Sequence, residues 1–115
     1  MNIENIRSIC KKLPHVTEDI KWGNDLCFLI GGKMFCVVGL NEELKVSIKV
    51  TAEEFDELTN LDAIIPAPYV AKHKWVLVKK ATIFNQKKWQ HYISQSYSLV
   101  KAKLPKKVQA QLGEE

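Results

Sequence analysis

The sequence predicts an α+β domain in which a small antiparallel sheet is covered by helices on one face. Two apolar, β-rich runs, residues 26–30 and 33–38, flank Gly31-Gly32, and adjacent glycines tolerate the positive φ angles of a two-residue hairpin turn. A third run, residues 44–50, alternates apolar with polar side chains, as a half-buried strand does. Segments of helical periodicity stand before and after these strands, a pattern typical of this fold class.

The hairpin also predicts a register and therefore two faces. With Gly31-Gly32 as the loop, we expect Phe28 opposite Phe35, and a turn at residues 41–43 then brings Lys49 opposite Phe35. One face is apolar throughout and is predicted to lie under the helices: Cys27, Leu29, Met34, Cys36, Val38, Leu40, Leu44, Val46, Ile48 and Val50. The other face mixes aromatic and aliphatic side chains with lysines and is predicted to stay open: Phe28, Ile30, Lys33, Phe35, Val37, Lys45, Ser47 and Lys49.

Three helices are predicted from capping residues and apolar spacing. Asn2 caps a first helix that ends at Leu13-Pro14, and the capping box Thr51-Ala52-Glu53-Glu54 begins a short second helix. Asn85 caps the last helix, which runs to about Lys103. The inner face of this last helix consists of Trp89, Ile93, Ser96, Tyr97, Val100 and Leu104.

The segments between these elements complete the predicted domain. Residues 15–21 are expected to be a polar connection, Trp22-Gly23 a short edge strand or a turn, and residues 63–73 a crossing loop with two prolines. Residues 75–79 form a strand by composition, and the alternation leaves open which side chains of this strand face outward. Residues 1–104 are thus predicted to be a single domain, followed by a polar C-terminal tail at 105–115 that frays.

Composition favours a cytoplasmic protein with one basic half, and a monomer is expected. Residues 1–69 hold seven Lys and Arg against eleven Asp and Glu, whereas residues 70–115 hold ten against two. Such asymmetry permits a basic footprint for a polyanion. No apolar run reaches membrane-spanning length, the N-terminus lacks a signal-peptide pattern, and three cysteines without a CxxC spacing indicate reduced thiols.

No residue pattern in the sequence predicts catalysis, a cofactor or a metal site. His15, His73 and His91 stand without a recognisable serine or cysteine nucleophile. Cys27 and Cys36 oppose each other in the predicted register. Buried cysteine acting as a small hydrophobe is favoured there over a redox pair or a zinc site, because zinc requires four ligands.

An ordered series of short motifs spans almost the whole chain. It comprises Leu13-Pro14, Trp22-Gly23, Gly32-Lys33-Met34-Phe35, a strand ending in Lys49, Pro68-Tyr69, Lys74-Trp75-Val76 and Ser96-Tyr97-Ser98-Leu99-Val100. Together these motifs resemble the MmcQ/YjbR family. The resemblance implies a CyaY-like α+β fold, also described as a double-wing arrangement, and it implies DNA binding by analogy of that fold.

The open face is the predicted binding surface, because ammonium groups contact phosphates and aromatic rings stack on bases. The residues expected to bind DNA or a partner are Lys33, Phe35, Lys45, Lys49, Tyr69, Lys74 and Trp75. The first hypothesis is a small, non-enzymatic binding protein that contacts DNA weakly, without sequence preference and in a salt-sensitive way. The alternative is a protein-interaction adaptor anchored on the same face by Phe28, Phe35 and Val37.

Two structural alternatives accompany these hypotheses. Lys49 covers the Phe35 ring in a cation–π contact that only stabilises the sheet. Tyr69, Trp75 and Tyr97 form either an aromatic plug at one end of the core or a small amphipathic pocket.

Overall fold

The computed structural model describes residues 2–40, 43–68 and 70–113. Along the chain its elements are α1 (Ile3–Lys11), β1 (Thr17–Lys21), β2 (Asp25–Ile30), β3 (Lys33–Gly39), β4 (Lys45–Lys49), α2 (Ala52–Leu58), β5 (Ile64–Pro66), β6 (Trp75–Val78), α3 (Gln86–Ala102) and α4 (Lys106–Gly113). Two short 3₁₀ turns, Ala71–His73 and Ala81–Ile83, flank β6. The strands form one antiparallel sheet in the order β1-β2-β3-β4-β6-β5. The predicted α+β class is therefore confirmed.

The predicted helix starts are also confirmed by their hydrogen bonds. The Asn2 side chain accepts from the Asn5 amide at 2.9 Å, and Asn5 completes a reciprocal capping box. Thr51 caps α2 in the same way together with Glu54. The Asn85 side chain accepts from an amide in the first turn of α3 at 2.8 Å. These caps satisfy amides that have no partner inside the helix.

Three segments predicted to be irregular form regular structure instead. Residues 17–21 form β1 at the edge of the sheet. Backbone pairing with β2 stabilises this strand, and its polar side chains therefore did not predict it. Residues 64–66 form β5 at the opposite edge, where a proline is tolerated because its missing N–H would face away from the sheet. In the predicted tail, residues 106–113 form α4, whose Val108 and Leu112 pack against the core.

The predicted register of the central hairpin is wrong over half of its length. Phe28 lies opposite Cys36, because the pairing shifts by one residue between Phe28 and Leu29. Phe35 is the extra residue of this β-bulge, and both Phe35 and Cys36 are fully buried. The predicted turn beyond β3 includes residues 41 and 42, which lie outside the described residues.

The bulge reverses the predicted faces of β2. Phe28, Ile30 and Phe35, predicted on the open face, belong to the helix-covered core. Leu29 and Met34, predicted in that core, lie on the other side of the sheet, since they pair with each other and alternate with core residues. For β4 the prediction is correct: Val46 and Ile48 are buried under the helices.

Helices α1 and α3 cover the core face, with α3 fixed directly to the bulge. The Ser96 hydroxyl, fully buried, donates to the Phe35 carbonyl at 2.5 Å and accepts from the Lys49 amide at 2.9 Å. Trp89, also fully buried, donates its indole N–H to the Ala81 carbonyl at 2.8 Å. In the part of the chain that the structure describes, no helix combines the length and hydropathy needed to cross a bilayer.

Candidate binding site on the open sheet face

The side of the sheet opposite the helices is the open face. Residues paired across antiparallel strands share a face, so the register places one row of side chains across all six strands. That row is Asp19, Cys27, Val37, Ser47, Leu77 and Ile65. Neighbouring rows bring Trp75 beside Lys49, and Asp25 beside Lys21. The structure thereby decides the orientation of β6: Trp75 and Leu77 face outward.

A cavity of about 610 Å³ occupies this face. Its lining is Trp22, Asp25, Met34, Val37, Ser47, Ala67, Pro68, Val70 and Trp75. Among the described lining residues, Asp25 is the one that carries a charge. The other lining side chains are aliphatic or aromatic, apart from the Ser47 hydroxyl. This composition is typical of pockets that bind an apolar group and orient it through one polar side chain.

Trp22 forms one wall and combines exposure with a strained backbone. Its side chain is 70% exposed, and its φ of 53° lies in the left-handed region that a bulky residue rarely adopts. The turn is held by the Leu40 amide, which donates to the Asn24 carbonyl at 2.8 Å. Holding an aromatic residue in this conformation costs on the order of 1–3 kcal/mol, and such strain concentrates at functional positions.

Trp75 forms the opposite wall and is only 8% exposed. Its carbonyl accepts from the Ala67 amide at 3.0 Å, which ties the proline-containing connection to the edge of the cavity. The neighbouring Pro68 and Val70 extend this wall. One wall is therefore rigidly attached to β6, whereas the other is an exposed indole on a hairpin turn.

Asp25 lies at the start of β2, above a glycine of β3. A Cβ atom on Gly39 would lie 3.9 Å from the Asp25 Oδ1, an ordinary van der Waals distance, so the carboxylate lies directly beside this glycine. Among the described residues, no cation forms an ion pair with Asp25, whereas Glu18 on the other side of the sheet pairs with Arg7 at 2.6 Å. The carboxylate is therefore available to a ligand.

Cys27 lies next to the cavity but is not a reactive thiol. It is fully buried, and its Sγ contacts the Asp25 carbonyl at 3.8 Å. Burial, followed by the Asp25 charge, raises the pKa of Cys27 to about 11. The thiol therefore stays protonated at neutral pH, which argues against nucleophilic chemistry at this residue.

The structure separates the sequence-predicted site residues from one another. Lys45 is exposed on the open face, as predicted. Lys33 is exposed but shares the side of its β2 partner Ile30, which belongs to the core. Phe35, predicted to be an exposed anchor, is buried and packs edge-to-face on Tyr97 with ring centroids 5.4 Å apart. Its predicted cation–π contact with Lys49 is replaced by this aromatic pair.

Two further predicted lysines are engaged in internal contacts. Lys49 donates from Nζ to the His73 carbonyl at 2.7 Å, and its pKa is lowered by burial and, secondarily, by the Lys103 charge. Lys74 has a left-handed φ of 65° and places its Nζ 5.0 Å from the centre of the Phe55 ring. Both side chains therefore stabilise the connection around β6.

The predicted aromatic cluster is divided between the two faces. Tyr97 belongs to the helix-covered core, where its hydroxyl donates to the Pro14 carbonyl at 2.7 Å and burial raises its pKa. Trp75 is on the open face, and Tyr69 lies outside the described residues. Trp75 thus contributes to a pocket, but without Tyr97.

Sequence reasoning missed Trp22, Asp25 and Met34 as cavity residues. The available signal for Trp22 was an aromatic residue followed by glycine in a turn, where a large apolar side chain has no core to enter. Met34 was assigned to the wrong face because the bulge has no marker in the sequence. Asp25 lay outside the predicted strand and so had no assigned face.

The basic half of the chain lies mainly away from the cavity. Described residues 70–113 contain ten lysines and no aspartate or glutamate. Six of these lysines lie on or beside α3 and α4: Lys87, Lys88, Lys101, Lys103, Lys106 and Lys107. The open face instead mixes Asp19 and Asp25 with lysines of β1 and β4. Within the described residues there is no group of three or more His, Cys, Asp or Glu side chains able to hold a metal.

Comparison with known proteins identifies the family of this chain. The YjbR family model matches residues 11–99. The chain belongs to the YjbR family. The matched segment contains the bulge and every lining residue of the cavity.

A solved structure supports the same assignment. The chain is similar to the crystal structure of the Deinococcus radiodurans protein DR2400, described as a DUF419 domain, with a TM-score of 0.86 and 26% identity. The similarity covers 97% of this chain and 88% of that one. No curated protein matches the sequence.

Proposed function

We propose that this YjbR-family chain is a binding protein that takes a protein partner on its open sheet face. The observation that carries the proposal is the cavity between Trp22 and Trp75 on the side of the sheet that no described helix covers. Tryptophan is enriched among the residues that dominate interface energies, and exposed aromatic surface around a pocket is typical of interaction sites. The proposal keeps the adaptor function predicted from the sequence but moves its anchor from Phe28 and Phe35 to Trp22.

The cavity suits an apolar side chain presented by the partner. Met34 and Val37 supply an apolar floor on β3, a strand that is paired on both sides. Trp22 is 70% exposed, so a partner that contacts the cavity can bury its indole. Charged residues outside the lining, such as Lys45, are placed to form the polar rim that interfaces usually have.

The proposal is tested by immobilising the chain and identifying the proteins that it retains from a cell lysate. Trp22→Ala is compared with wild type and with Leu61→Ala, which removes an exposed hydrophobic residue, 43% exposed, outside the cavity lining. We expect a specific partner to be retained by wild type and Leu61→Ala and lost with Trp22→Ala. For that purified partner, the loss should be about 30-fold in Kd, as for an interface hot spot. If wild type and Trp22→Ala retain the same proteins equally, the open-face proposal is wrong.

DNA binding is a second candidate function. It is favoured by residues 70–113, which contain ten lysines and no acidic residue. This distribution supports a DNA surface on α3 and α4 rather than on the sheet. The test is fluorescence anisotropy of labelled single- and double-stranded DNA at low and near-physiological salt. Lys87→Ala with Lys88→Ala should reduce the salt slope by about 0.9 per lost duplex phosphate contact. Lys45→Ala on the open face is the matched control.

The outcomes for DNA are distinct. Binding that persists at the higher salt and weakens with the α3 lysines supports this candidate. Binding seen only at low salt, or lost equally with Lys45→Ala, would reject an α3 surface. Both proposals include a monomer in the cytoplasm, a setting that three free thiols support.

A further inference from the structure

We propose that the open-face cavity recognises a basic side chain, an arginine of the protein partner flanked by apolar residues. This inference rests on the proposed function, because it names the chemistry of the partner at that same site. An arginine would lay its aliphatic stem along the apolar lining and direct its guanidinium group toward Asp25.

The charge of the cavity favours a cationic ligand. Of the lining residues that the structure describes, Asp25 is the one with a charge, and the others carry aliphatic, aromatic or hydroxyl side chains. It is half-buried and has no ion-pair partner among the described residues. A partly desolvated carboxylate beside apolar walls favours a cation that carries its own apolar surface, and a planar guanidinium can pair with both carboxylate oxygens.

The two indoles of the cavity also favour a cationic ligand. Trp22 and Trp75 line the same cavity as Asp25. Arginine stacks on tryptophan faces more often than other cations do, and tryptophan is the strongest aromatic partner for a cation. A carboxylate combined with two indoles in one cavity therefore discriminates an arginine from both an anionic and a neutral side chain.

Internal cations do not already fill this role. Lys49, paired with Trp75 across the strands, is held by the His73 carbonyl. Lys21 lies opposite Asp25 in the register yet forms no ion pair with it in the described structure, and it is not part of the lining. Lys21 weakens the local negative potential, so its removal should tighten arginine binding.

Titration of ¹⁵N-labelled protein with short peptides tests the inference by NMR. The probes are acetyl-Leu-Arg-Leu-amide and the same peptide with citrulline, which replaces the guanidinium by a neutral isostere. We expect the arginine peptide to shift the indole N–H signals of Trp22 and Trp75 and to bind about tenfold more tightly than the citrulline peptide. The Trp89 indole is the internal control, because it is buried and bonded to Ala81.

Variants then assign the preference to its residues. Asp25→Asn should abolish the difference between the two peptides, whereas Asp19→Asn, on the same face but outside the lining, should keep it. Lys21→Ala should increase the affinity for the arginine peptide. An unchanged Trp89 signal shows that each variant is folded.

The failure of this inference differs from the failure of the proposed function. Equal binding of both peptides, or an unchanged preference in Asp25→Asn, would overturn arginine recognition and leave a cavity that binds apolar groups. The absence of any shift at Trp22 and Trp75 would also overturn it. The role of the face in partner binding is judged separately by retention with Trp22→Ala.

Discussion

Replacing Ser96 by alanine tests how α3 is fixed to the sheet. The Ser96 hydroxyl bridges the Phe35 carbonyl at 2.5 Å and the Lys49 amide at 2.9 Å, and it is fully buried. The bulge at Phe35 interrupts the β2–β3 pairing, so the helix supplies a bond at the place where the sheet ladder is irregular. Ser96→Ala leaves a donor and an acceptor without their partner.

The magnitude follows from the burial of the two groups. The bond to the Phe35 carbonyl is buried, and leaving such a group unpaired costs about 2 kcal/mol. The bond from the Lys49 amide is only partly buried, so water can replace some of it, and its loss costs about 1 kcal/mol. We therefore expect the free energy of unfolding to fall by about 3 kcal/mol.

Urea unfolding followed by circular dichroism measures this change. With an m value of about 1.5 kcal/mol/M, the midpoint should fall by about 2 M. Ser98→Ala is the matched control, because Ser98 is exposed on the same helix and its loss should change stability by less than about 0.5 kcal/mol. If Ser96→Ala and Ser98→Ala unfold at the same urea concentration with the same m value, the bridge does not stabilise the fold.

Three further predictions concern the hairpin and the edge of the sheet. Phe35→Ala should destabilise by about 3–5 kcal/mol in the same urea assay, because its ring is fully buried, and a change below about 1 kcal/mol would contradict its place in the core. Gly31→Ala should lower Tm more than Gly32→Ala. Both glycines have positive φ, but only a Cβ at Gly31 would clash, because it would lie 2.7 Å from a methyl carbon of Leu104. Equal Tm values for the two variants would argue against that packing. The hydrogen bond from Arg7 lowers the pKa of Glu18 from its ordinary value of 4.5. The ion pair therefore stabilises the fold at pH values above 4.5, and this stabilisation is lost as the pH falls through the lowered pKa of Glu18. Arg7→Ala should therefore lower Tm at pH 7 but not at about pH 2, and a pH-independent difference would reject the assignment.

The sequence by itself determined the elements whose signals are local. A cap needs a side-chain oxygen at one position, so Asn2, Thr51 and Asn85 could be identified without knowing what their helices pack against. The Gly31-Gly32 turn is likewise set by backbone conformation, and both residues do have positive φ. Periodicity correctly identified the buried side of α3 from Trp89 to Val100.

Edge elements could not be predicted because their stability comes from neighbours. β1 and β5 are held by pairing with β2 and β6, and their own side chains show no apolar alternation. The helix α4 has apolar residues at only a few positions, and it packs against the tip of the central hairpin. Contacts distant in sequence therefore decided the outer parts of the fold.

The candidate site depended almost entirely on tertiary structure. Because side chains along a strand alternate between the two faces, a shift of one residue reverses the faces. The single extra residue at Phe35 therefore places Phe28 and Phe35 in the core and Met34 on the open face. The sequence correctly placed Lys45 and favoured an open binding face, but the cavity joins residues from positions 22 to 75 that no local pattern relates. Capping and turn conformation are local energies that a few residues carry, whereas a cavity exists only where strand register and loop closure bring distant side chains together.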